Sequence, residues 1–103
     1  MFSAQLRDIA EIIKDAKNAD REFLRISIMA ELDAISLYEQ IAALTKDEAI
    51  RKVMLDVAGE EKTHVGEFQS LLLLRDGEQN EELKKGALEV EVITREGLTP
   101  GKK

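Results

Sequence analysis

Between residues 20 and 75 the apolar side chains recur at three- and four-residue intervals, in two separate runs. Leu24, Ile28, Ile35, Tyr38 and Ala42 share one stripe, and Met54, Val57, Ala58, Val65, Phe68 and Leu72 share another. This spacing predicts two long amphipathic helices, over about 20–44 and 46–75. "NAD" (18–20) offers caps for the first. "TKDE" (45–48) reads as a capping box for the second, with Thr45 as N-cap and Glu48 reaching back. "RDGE" (75–78) holds a stop signal, with Gly77 just past the helix end. So tight a break at Thr45 makes the two helices antiparallel neighbours. Leu6, Ile9, Ile12 and Ile13 mark a short amphipathic segment over 4–17, and a third helix is predicted over 78–95. The single proline, Pro100, lies in "GLTPGKK", so 96–103 reads as a flexible tail or linker. The expected fold is all-α: one domain over 1–103, a two-helix hairpin with short flanking helices.

Three polar residues interrupt the stripes. Stepping 100° per residue places Glu31 in the middle of the first apolar face, not on the polar side. Glu61 sits at the centre of the second, with His64 about 60° away. A buried carboxylate without a partner is costly, so these groups need one another, a hydroxyl, trapped water or a cation. Their heights agree. Glu31 precedes Thr45 by 14 residues and Glu61 follows it by 16, which puts both roughly 21–24 Å from the turn. In an antiparallel hairpin the three groups are level on facing stripes.

One Glu on one helix and a Glu-x-x-His on the next is half the ligand list of a di-iron carboxylate bundle. Two chains around a two-fold axis would supply Glu31, Glu61 and His64 twice, and would cover apolar surface that a lone hairpin leaves open. Four carboxylates and two imidazoles suit iron or manganese; zinc or calcium are further divalent ions such a site admits. Composition narrows the alternatives. The absence of cysteine excludes disulfides, thiolate zinc sites and iron–sulfur clusters. A net charge of −6, from 21 acidic and 15 basic residues, argues against nucleic acid and anionic lipid as partners and suits cations. The longest apolar run is Leu71–Leu74, far short of a membrane span, and the first residues do not read as a signal peptide. The expected location is cytoplasmic.

"AELDAISLYEQ" (30–40) followed by "LDVAGEEKTHVGEF" (55–68) closely resembles the encapsulated ferritins, over about residues 20–90. That resemblance implies two-helix protomers pairing into a ferritin-like four-helix bundle, with a di-iron ferroxidase site at the dimer interface. It implies a homodimer that assembles further into a ring of about ten subunits. It also implies an encapsulin shell as partner and the interior of an encapsulin nanocompartment as location. The ligands would be Glu31, Glu61 and His64, with Glu61 bridging and the others terminal, and Tyr38 would sit beside the site. This chain departs from some members at a metal-access site, where paired glutamates are replaced by Ala30 and Asp33. Leu37 stands where some have tryptophan. Asp33 is the remnant of that access site. "GLTPGKK" would be a shell-docking peptide or the stump of a linker to a fused shell.

Other residues have plain readings beside the functional ones. Tyr38 is either a core residue or a hydrogen-bond partner of a ligand carboxylate. Glu60 and Glu67 form a solvated flank, with an acidic path for incoming cations as the alternative. Met29 and Met54 read as packing residues. The stretch 78–95 reads as a mixed-charge surface helix contacting a neighbouring subunit. Ferroxidase chemistry, with iron storage inside a shell, is the leading function. A rubrerythrin-like di-iron peroxidase is second, although it lacks a cysteine-ligated electron donor here. A metal-free helical assembly module, with the Glu–His cluster setting dimer register, is third.

Overall fold

The computed structural model describes residues 16–95. They form three helices: α1 (Ala16–Leu44), α2 (Glu48–Arg75) and α3 (Gly77–Thr94). The amphipathic segment expected over 4–17 lies outside the described residues except for its last two, and the tail over 96–103 lies outside them. Helix α1 begins before the expected "NAD" cap, which is therefore interior to the helix. No glycine or proline interrupts the chain there, and the mild helix disfavour of Asn and Asp is outweighed by the packing of the apolar stripe along α1.

Residues 45–47 make the turn. The Thr45 N–H donates to Ile41 O at 2.9 Å, so Thr45 finishes α1 and does not open α2. The N-cap is Asp47, extended at φ −89° and ψ 118°, whose carboxylate accepts from the Ile50 N–H at 3.1 Å. Thr45 Oγ1 accepts from the Asp47 N–H instead. The expected capping box is thus replaced by an aspartate cap two residues later, and Glu48 turns toward Arg51 at 3.6 Å. Arg51 reaches back across the turn. Its Nε donates to Ala42 O at 3.2 Å and a terminal amino group to Thr45 O at 3.0 Å, satisfying carbonyls that the end of α1 leaves without helical partners.

Helices α1 and α2 pack along most of their length as the expected antiparallel hairpin. Ala42 and Ala58, 3 % and 1 % exposed, let the backbones approach closely, and Ile35 and Leu72 are buried on the same stripes. Lys62 and Glu39 pair across the hairpin at 3.0 Å. One face remains open. Leu37 and Leu44 of α1 and Val53, Leu71 and Leu74 of α2 are exposed. No helix among the described residues is long and apolar enough to cross a membrane.

A single residue, Asp76, joins α2 to α3. Gly77 was expected to stop α2 but is the first residue of α3. The stop comes from Asp76, at φ −136° and ψ 85°, which leaves the helical region and caps α3 by accepting from the Gln79 N–H at 3.0 Å. Helix α3 follows the predicted range within a residue, buries none of its residues, and ends at Arg95 in the left-handed region (φ 56°).

Candidate metal centre

Two long helices with no internal break carry Glu31 and the Glu61/His64 pair, so helix periodicity alone fixes which side of each rod they occupy. The hairpin brings them together. His64 Nδ1 lies 3.3 Å from Glu61 Oε2 and 3.7 Å from Glu31 Oε1. One ligand atom from each of the three residues lies within 4.8 Å of the others. Among the described residues this is the one group of three or more metal-ligating side chains so placed.

Their environments differ. The Glu31 and Glu61 side chains are 19 % and 20 % exposed, whereas His64 is 43 % exposed. Glu31 Oε2 is buried and has no hydrogen-bond partner. An unpartnered buried acceptor costs about 1–3 kcal/mol; Leu24, Ile28 and Ile35 on the same stripe carry no donor, and the Tyr38 hydroxyl does not reach it. A divalent cation held by the cluster would give that oxygen a partner. Two carboxylates and an imidazole form a hard-to-borderline donor set suited to iron. Nδ1 is the histidine nitrogen aimed at the carboxylates and is therefore the atom available as ligand.

The set is open on one side. Three protein ligands fall short of the coordination that iron or manganese takes. Val53, His64 and Leu71 stand 11 and 7 residues apart on α2, on a shared stripe, with the exposed carboxylates of Glu60 and Glu67 one turn to either side of His64.

The remaining sequence candidates lie outside this knot. Tyr38, two turns along α1, is half-buried and is not among the cluster's ion-pair or hydrogen-bond partners in the described residues. Asp33 is half-buried on α1, and Glu60 and Glu67 are exposed on α2. None of these four joins the three-residue group. What sequence reasoning missed lies away from it: Arg25, Arg51 and Asp76 make the polar contacts that fix the ends of the helices. A basic residue placed just past a tight turn, within reach of the carbonyls ending the preceding helix, is the signal that could have found Arg51.

Comparison with known proteins places this geometry in a family. Residues 5–89 match the EncFtn-like family. The ferritin-like–encapsulin shell fusion protein of Pyrococcus furiosus is 60% identical over 73 residues, covering 71% of this chain and 21% of that protein. The encapsulin nanocompartment cargo protein EncC of Myxococcus xanthus is 34% identical over 71 residues, covering 69% of this chain and 55% of that protein. This chain therefore spans only part of either relative. The crystal structure of the encapsulated ferritin domain from Pyrococcus furiosus superposes with a TM-score of 0.79 at 54% identity, over 82% of this chain and 86% of that one.

Proposed function

The chain belongs to the EncFtn-like family of encapsulated ferritins, and on that footing we propose that it is a ferroxidase. Fe(II) is the substrate, and the site is a di-iron centre assembled from Glu31, Glu61 and His64 of two copies of the chain. The observation that carries this reading is the buried Glu31 Oε2, left without a partner inside a cluster whose ligand atoms lie within 4.8 Å. A purely structural polar network would be expected to satisfy that oxygen.

Each residue has a part. Glu61 touches the histidine most closely and stands at the centre of the α2 stripe, which suits it to bridge two cations across the two-fold axis. Glu31 and His64 Nδ1 are the terminal ligands. When bound, the iron pair supplies the electrons that reduce oxygen. The side chains bind and position the ions, and their negative charge offsets the repulsion between them. The half-exposed His64 and the exposed Leu37, Val53 and Leu71 would be covered by the second copy, which closes a four-helix bundle. That dimer would also exclude water from the site.

The relatives' names supply the setting. One is fused to an encapsulin shell and the other is a nanocompartment cargo protein. We place this chain in the same setting, inside a shell that retains the Fe(III) product. The test is the rise of ferric absorbance when oxygen is admitted to protein and Fe(II). The native chain should oxidise iron faster than buffer does, and Glu31→Ala, Glu61→Ala and His64→Ala should fall to the buffer rate while remaining helical. Variants that retain the native rate would defeat the assignment.

A further inference from the structure

Among the described residues, nothing apolar holds the outer half of α3. Beyond Leu83, which lines a shared groove with Ile28 of α1 and Leu72 of α2, the side chains Leu88, Val90, Val92 and Ile93 are exposed by 43–79 %. A helix attached through one residue and packed only near its start should swing about that residue. Polar contacts at the joint oppose this, and two of them come from α1, outside the helices being joined. Arg25 donates to Asp76 Oδ2 at 2.9 Å, while Asp76 Oδ1 caps α3. Arg21 Nε donates to the carbonyl of Arg75, the last residue of α2, at 2.9 Å. Glu22 in turn orients Arg25 at 3.2 Å. Asp76 is the one buried charged residue described, and both of its oxygens are engaged.

We infer that Arg21 and Arg25 form a latch through which α1 fixes the direction of α3 relative to the hairpin. The two arginines stand one turn apart and grip the two consecutive residues at which the chain changes course. Each contact removes a different freedom: the Arg75 carbonyl holds the end of α2, and the Asp76 carboxylate holds the start of α3. The exposed apolar residues of α3 are thereby aimed in one direction by a polar joint 51–54 residues distant in sequence from its clasp. The latch is separate from the metal cluster and independent of the proposed activity.

The experiment is a distance measurement between spin labels in the full, metal-free chain. The native sequence has no cysteine, so Ser70→Cys on α2 and Glu91→Cys on α3 place the pair, and excess unlabelled chain suppresses distances between copies. The latched joint gives one narrow distance distribution. Arg25→Gln should broaden it, and Arg25→Lys, which keeps a charged donor, should narrow it again. Asp76→Asn keeps the acceptor that caps α3 but turns a donor toward Arg25, so it should broaden the distribution even if Arg25→Gln fails to fold. Hydrogen exchange should show α1 and α2 amides protected in each variant, distinguishing release of α3 from unfolding. A distribution that stays narrow at the native distance in Asp76→Asn, or one already broad in the native chain, would overturn the latch.

Discussion

Replacing Glu31 with methionine separates a metal ligand from an ordinary polar core residue. Methionine fills nearly the same volume on a stripe already formed by Leu24, Ile28 and Ile35, and it introduces no group that needs a hydrogen bond. In the metal-free chain, Glu31 Oε2 is buried and unpartnered, a cost of about 1–3 kcal/mol. The side chain is 19 % exposed, so the lower end applies. What the substitution removes is a 3.7 Å contact to a half-exposed histidine, worth about 1 kcal/mol or less. Glu31→Met should therefore leave the metal-free protein at least as stable, with a melting temperature higher by up to about 4–8 °C, since the net gain is at most about 1 kcal/mol. Ferrous or manganous ion should reverse the order. At a concentration about 100 times the dissociation constant, a bound ion stabilises the native chain by about 2.7 kcal/mol, and the variant, having lost a ligand, gains much less. Calorimetry at fixed protein concentration, with chelator and with metal under anaerobic conditions, reads both effects. A variant that melts lower than the native chain in chelator would refute the reasoning, because Glu31 would then have a satisfying partner within the protein.

Other perturbations test the scaffold. Asp47→Ala removes the N-cap of α2 and should cost about 1 kcal/mol by denaturant titration, whereas Thr45→Ala, expected from sequence to be the cap, should cost less. Ala58→Leu places three more carbons at a position 1 % exposed between the helices and should destabilise the hairpin by about 1–3 kcal/mol, or prevent its closure. The Asp76 carboxyl is held below its usual value of 3.8, first by the Gln79 N–H, then by Arg21 and Arg25, against the opposing effect of burial. Its folded-state pKa is depressed, so its stabilising contribution is fully present above the usual value and is lost as pH falls through the folded one. Asp76→Asn should accordingly flatten the acid limb of a melting-temperature profile and leave the neutral region's slope unchanged.

The hairpin and the meeting of Glu31, Glu61 and His64 were legible in the sequence for a simple reason. Each long helix is unbroken, so angular position and height follow from residue number alone, and a three-residue turn adds little error to the register. Helix ends were harder, because several residues near each end can cap it. Asp47 outcompeted Thr45 once the Thr45 N–H was committed to α1. Asp76, not Gly77, turns the chain at the second joint, since an aspartate with an arginine beside it can cap the following helix and neutralise its own burial. Arg25 and Asp76 are 51 residues apart, and no periodicity relates them. Tyr38 shares the stripe of Glu31, and Glu60 and Glu67 edge that of Glu61, yet face alone does not bring a side chain into contact with the cluster, and Asp33 stands about 200° round α1 from Glu31.

The central claim is that one chain holds half of a di-metal site and two chains hold the whole. Native mass spectrometry during anaerobic Fe(II) titration tests it most directly, because it reads iron count and oligomer mass on the same particle. The account predicts even-numbered assemblies saturating near one iron per chain, with that iron lost in His64→Ala. Monomers that bind iron as well as dimers do, or dimers that form and bind none, would contradict it.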